Sequence, residues 1–239
     1  MDAYDGLMQL GALQRVSGRE PVRQRLLPGR LHLSAAVLLA VCVTVTAVLG
    51  THFSDLNPWL DSAIDPRIQS QLGRFPTLLS WLPDFGTLRP VTLMTLALIL
   101  ACVTTRRWSG AVLAAVAEPA ATGLTEYVLK PYVGQAIGQS FPSGHATSMF
   151  ALAAICAVLL VDPPRRRVPG VVRLLLVLMA LLLAAAVGAA MVAIGSHQFT
   201  DAVAGAAVGT GVVMAGTLTL DLVSSRARRA SVAQSLPGV

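Results

Sequence analysis

Apolar runs long enough to cross a membrane recur along this chain, and they restrict its fold more than any other feature. A helix needs about 20 mostly apolar residues to cross a hydrocarbon core about 30 Å thick. Leu31 to Gly50, Leu174 to Ser196 and Ala202 to Leu220 are long runs without a charge. Ala146 to Val161 is charge-free but short, and Pro90 to Thr105 must borrow flanking residues to span. Ser109 to Leu129 is long enough but carries Glu118 and Glu126. Lipid offers no partner to an open backbone, so such runs must be helices. Composition agrees: 54% of residues are hydrophobic and 13% charged, against about a quarter charged in a soluble domain. A cytosolic globular enzyme, a disordered chain and a disulfide-stapled secreted domain are excluded. The expectation is an all-α integral membrane protein with six transmembrane helices.

Arginine sets the orientation. Of 18 basic residues, Lys130 is the only lysine. Fourteen of the 18 fall in the N-terminal tail, the connections after the second and fourth spans, and the C-terminal tail. Arg67, Arg74, Arg89 and Lys130 fall on the other side. The positive-inside rule then puts both termini in the cytoplasm. The expected organisation is a basic cytoplasmic tail (1–30), a membrane domain (31–222, with the core motifs in 109–220) and a cytoplasmic C-terminal tail (223–239). The first run is longer than a signal-peptide core and no small-residue cleavage site follows it, so it reads as a retained anchor. A net charge of +6 would suggest nucleic acid in a soluble protein; here it serves topology, and no nucleic-acid partner is expected. Cys42, Cys102 and Cys156 lie in apolar runs and read as small packing residues. Gly205 and Gly209 have the spacing that lets membrane helices approach closely.

The extracytoplasmic side receives a long loop from Thr51 to about Arg89, the segment Lys130 to His145, and a short turn around His197. Within the loop, Arg67 to Leu82 reads either as an interfacial stretch anchored by Phe75 and Trp81 or as a connector. His32 and His52 flank the first span and read as interfacial fillers. His145 and His197 differ, since each sits in a polar cluster at the outer end of a span. Pro142-Ser143-Gly144-His145 is a turn that opens a helix, where unpaired N–H groups attract anions; Ser143 also suits a plain helix cap. His197 precedes Asp201 by four residues, which puts both on one helix face if the helix starts there. A carboxylate on one ring nitrogen fixes the tautomer and leaves the other nucleophilic. Lys130 falls in the same outer layer, one turn after Glu126, with which it can pair.

On these residues the chain resembles the type 2 phosphatidic acid phosphatase superfamily, membrane lipid phosphatases related to vanadium haloperoxidases. The family pattern has three blocks: K-x6-RP, PSGH and SR-x5-H-x3-D. The second block is complete at Pro142 to His145, the third is matched at His197 and Asp201, and the first at Lys130 alone. The arginine and proline of the first block would fall at Ile137 and Gly138, with neutral Gln135 nearby, and the serine and arginine of the third at Ala190 and Met191. Two phosphate-holding guanidiniums are therefore absent, and Arg74 or Arg89 would have to reach in to replace them.

The resemblance implies a hydrolase acting on a lipid or polyprenyl phosphate or diphosphate in the cell membrane, at an extracytoplasmic site, without metal or cofactor. His197 would be the nucleophile, Asp201 its orienting carboxylate and His145 the general acid and base. Lys130, Ser143 and the Gly144 amide would hold the phosphoryl oxygens. Two other readings stay open. His145, His197 and Asp201 have the composition of a two-His, one-carboxylate metal site. The missing arginines, with Glu118 lacking a partner in sequence, would also suit a non-catalytic lipid carrier or assembly protein.

Overall fold

The computed structural model describes residues 25–51, 56–134, 141–161 and 168–235. Among them there is no strand. Eight α-helices follow in order: α1 (His32–Thr51), α2 (Leu56–Leu72), α3 (Pro76–Trp81), α4 (Leu88–Thr104), α5 (Trp108–Gly123), α6 (Gly144–Val161), α7 (Gly170–Ala193) and α8 (Phe199–Ser235). Short 3₁₀ turns occupy Gly29–Leu31 and Pro83–Gly86, and α5 runs directly into a π-helical segment, Leu124–Gly134.

Among the described residues, four segments are long and apolar enough to cross a membrane: Gly29–Gly50, Gly144–Val161, Gly170–Ala193 and Phe199–Ala227. A fifth arises if Pro76–Gly86 and α4, bent by 58°, count as one span. The sixth expected span, Ser109 to Leu129, is divided: α5 has 16 residues, and the π-helical segment carries the rest. Pro119 and Pro131 stand inside this run, and each withholds a backbone N–H from the ladder. The long outer loop expected before α4 is mostly helical, with α2 lying across the ends of α7 and α8. Helix α8 continues through much of the segment expected as a C-terminal tail.

Helix α6 is the most buried span and packs against α4, α5, α7 and α8. The approach of α8 is governed by its glycines, at the spacing noted in the sequence. A Cβ on Gly205 would collide with the Ser143 carbonyl, and one on Gly209 with the Thr147 carbonyl and, at 2.9 Å, the Ala151 nitrogen. The two helices thus touch backbone to backbone.

Several polar groups inside the bundle are paired. Thr122 donates to Glu118 at 2.8 Å and shares a 2.9 Å hydrogen bond with Ser148, so the mid-span acid that lacked a sequence partner has one. Thr125 and Thr147 pair at 3.1 Å across the same α5–α6 seam. At the end away from His145, the buried Asp221 accepts from the Leu26 and Leu27 amides at 2.7 and 3.1 Å, and pairs with His32 Nε2 at 3.0 Å. His32 is therefore no interfacial filler: it helps tie the start of α1 to α8. Arg107 donates to the Leu159 carbonyl, and Arg173 to Leu160 and Val161 at 3.3 and 3.2 Å. Cations there satisfy carbonyls that the end of α6 leaves open. His52 and the Arg165–Arg167 run lie outside the described residues.

Replacing Gly209 by valine should therefore destabilise the bundle by about 1–3 kcal/mol through overpacking. The change would be read as a lower unfolding temperature in detergent. Gly188 is the control, because a Cβ there meets only Ala202, at 3.7 Å. Gly188→Ala should leave stability unchanged or raise it by up to about 1 kcal/mol through helix propensity.

Candidate active site

His197 owes its place to the way α7 stops. Gly195 takes φ +73°, a left-handed conformation that glycine adopts without steric cost. The Ser196 amide returns to Met191 O and the Gly195 amide to Val192 O, both at 3.0 Å. Those two bonds form a Schellman motif that turns the chain sharply. His197 follows in the turn, its amide also reaching Met191 O at 3.3 Å. Its side chain is only 8% exposed.

Helix α8 then starts at Phe199, two residues later than an i,i+4 pair within one helix requires. The pair forms across the cap instead. His197 Nδ1 stands 3.4 Å from Asp201 Oδ2, which also accepts the Gln198 amide at 3.1 Å. Two further carboxylates reach this turn from α2. Asp65 accepts the Phe199 amide at 3.0 Å, and Asp61 accepts both the Thr200 amide and the Thr200 hydroxyl at 2.9 Å. Burial pushes both carboxyls above the ordinary range, opposed by the bonds from Thr200 and Phe199 and reinforced by Asp201. The unpaired amides at the start of α8 are thereby satisfied by acids. Asp201 Oδ1, also buried, has no partner among the described residues.

The Pro142 to His145 turn joins this cap directly. Ser143 N–H donates to the Asp201 carbonyl at 3.0 Å, so the two motifs, far apart in sequence, share a hydrogen bond. Ser143 is fully buried; its carbonyl accepts the Thr147 amide at 3.0 Å and the Thr147 hydroxyl at 2.9 Å. The Gly144 and His145 amides donate to no described residue. Among the described residues, helix α6 thus presents two N–H groups without a partner beside the histidines, the geometry that favours an anion.

The π-helical segment brings Lys130 to the same place. Its ammonium pairs with Glu126 at 2.5 Å. The pair lies against Gly144, where a Cβ would stand 3.6 Å from the Lys130 nitrogen and would strike the Glu126 carboxylate. His145 lies within electrostatic reach of His197, Lys130, Glu126 and Asp84. Gly86 packs against the His145 ring, since a Cβ there would come within 2.7 Å of the imidazole Cδ2.

All six residues singled out from sequence, Lys130, Ser143, Gly144, His145, His197 and Asp201, therefore meet at one end of the bundle. Three residues that frame the site were not singled out: Asp61, Asp65 and Gly86. Ala190 and Met191 are buried in the α7 terminus and carry structure, not charge. Ile137 and Gly138 lie outside the described residues. Arg74 and Arg89 are exposed, and neither bonds or ion-pairs with a described residue. Among the described residues, no three His, Cys, Asp or Glu side chains converge as a metal-ligand set.

A sequence profile described as the PAP2 superfamily matches residues 29–222, most of the chain. No curated protein and no solved structure matches.

Gly86→Ala tests the packing around His145. The added methyl meets the ring and the His145 Cβ, so the imidazole must move. A displacement of about 1 Å can cost about 100-fold in rate when a catalytic group is misplaced. The expected result is a large loss of turnover with little change in unfolding temperature.

Proposed function

Since the chain belongs to the PAP2 superfamily, a family of phosphatases in general, we propose that it hydrolyses a lipid or polyprenyl phosphate or diphosphate through a phosphohistidine. The observation that carries this reading is the hydrogen bond from Ser143 N–H to the Asp201 carbonyl. It brings the open start of α6 against a histidine whose Nδ1 is turned toward a buried carboxylate.

That orientation assigns the atoms. Asp201 favours a proton on Nδ1, which leaves the Nε2 lone pair of His197 free to attack phosphorus. As the N–P bond forms, the P–O bond to the leaving group breaks, and His145 gives its proton to the departing oxygen. His145 then takes a proton from water, and hydroxide attacks the phosphohistidine to release phosphate and restore His197. Lys130, Ser143 and the open Gly144 amide hold the phosphoryl oxygens as charge builds. No metal takes part in these steps. In this reading six spans cross the cell membrane, both termini are cytoplasmic and the site is extracytoplasmic.

An apolar crevice of 410 Å³ supports a lipid substrate. It runs between α1, the π-helical segment and α8, and is lined by residues including Leu39, Cys42, Leu129, Val133, Val208 and Val212. Gly50 and Val133 also line it, and both pack by Phe141, the residue before Pro142. A chain lying there has its headgroup end close to the motif.

Two observations favour a second reading, a non-catalytic lipid carrier or assembly protein. Lys130 is neutralised by Glu126, while the aligned positions of one missing arginine block are the buried Ala190 and Met191. Phosphate release from a panel of lipid phosphates separates the two readings. The phosphatase reading expects turnover by purified protein, unaffected by chelator and abolished by His197→Ala and by His145→Ala. Turnover that survives both substitutions would refute the mechanism, and a panel without any turnover would favour the carrier.

A further inference from the structure

We propose that Asp61 and Asp65 are positioning residues for the reaction: from α2 they clamp the first turn of α8 and so fix the imidazole of His197. The inference rests on the reading of His197 as the nucleophile, and nothing in the sequence motifs includes either aspartate.

Consecutive amides in the turn are each held by a carboxylate: Gln198 by Asp201, Phe199 by Asp65 and Thr200 by Asp61. One acceptor close in sequence suffices to cap an ordinary helix. Here two of the acceptors come from 134 and 139 residues away. Asp61 is 3% exposed and bonds the Thr200 hydroxyl as well, which fixes both the backbone and the side chain of that residue. The same helix reaches the other side of the turn, where Gln69 donates to Val192 O at 3.4 Å. Helix α2 therefore grips the end of α7 and the start of α8, with His197 between the two attachments.

The arrangement is costly as a mere cap. Burying carboxylates near one another carries a desolvation and repulsion penalty that serine, threonine or asparagine would avoid. What the acids provide is strong, directed acceptors at adjacent amides. They also occupy the amides that an anion at the start of α8 would otherwise use. The Gly144 and His145 amides, which donate to no described residue, lie on the side of the site where phosphoryl oxygens can be held, beside the imidazole that Asp201 orients. The clamp thus fixes the nucleophile and directs the phosphate to α6.

The test compares Asp61→Ala, Asp61→Asn, Asp65→Ala and Asp65→Asn in the full-length, detergent-purified protein. For each variant, kcat and KM on a lipid phosphate are measured beside the unfolding temperature and hydrogen exchange of a peptide covering Phe199 and Thr200. Each alanine variant should lower kcat by about 10–100-fold at unchanged KM, and exchange in the turn should rise. Each asparagine variant should recover most of kcat, because its amide oxygen still accepts the backbone N–H. At position 61 the Thr200 hydroxyl can accept from the new NH₂. Wild-type kcat in both alanine variants would overturn the clamp. So would activity lost only in proportion to folded protein, or an exchange rate in the turn that does not change. Should the wild type release no phosphate from any lipid phosphate, the proposed function fails. Exchange at Phe199 and Thr200 then decides the clamp by itself.

Discussion

The backbone contact between α6 and α8 is the constraint on which the rest depends. Gly205 and Gly209 bring α8 against the Ser143 and Thr147 carbonyls, closer than any side chain permits. At that separation the Asp201 carbonyl can accept the Ser143 amide, and the two motifs become parts of one site. A wider seam would leave His145 and His197 on helices that merely neighbour each other. Small residues are the general means by which membrane helices approach, since lipid supplies no hydrophobic force between them. Here the same device sets a distance between polar groups.

Carboxylates secure that helix at its start and again well along its length. Asp221, inside the helix, gathers the Leu26 and Leu27 amides and His32. Asp61, Asp65 and Asp201 gather the first amides of α8. An unsatisfied amide in a low-dielectric setting costs about 1–3 kcal/mol, which explains why open groups are so few. It also gives meaning to the exceptions. Among the described residues, the amides of Gly144 and His145 and the Oδ1 of Asp201 find no partner at the end where the reaction is proposed, and the Nε of Arg173 finds none at the other. Arginines share the same logic at the far end of α6, where Arg107 and Arg173 close its last carbonyls.

Much of this was legible in the chain, and the reasons for success and failure are physical. Hydropathy marks helices because lipid enforces helical pairing, so α1, α6, α7 and α8 match the long runs closely. Lys130, the Pro142–His145 turn and the His197–Asp201 spacing are local patterns, and they converge as local patterns can. The π-helical segment was not legible, because periodicity does not separate it from a continued α-helix. Asp61, Asp65 and Gly86 were illegible for another reason. Their partners, Thr200, Phe199 and His145, lie far along the chain, and only the folded segment between α1 and α4 brings them together. His32 read as an interfacial residue since nothing local announces Asp221.

The proposed mechanism requires a covalent bond between phosphorus and His197, and that bond can be trapped. Purified protein would be mixed with a lipid phosphate labelled on phosphorus and quenched by denaturation within the first turnovers. A phosphohistidine at His197 gives protein-bound label that survives alkali, is lost in acid, maps to the peptide containing His197 and is absent when that residue is alanine. Steady release of phosphate with no label at any quench time, or label on another residue, would contradict it.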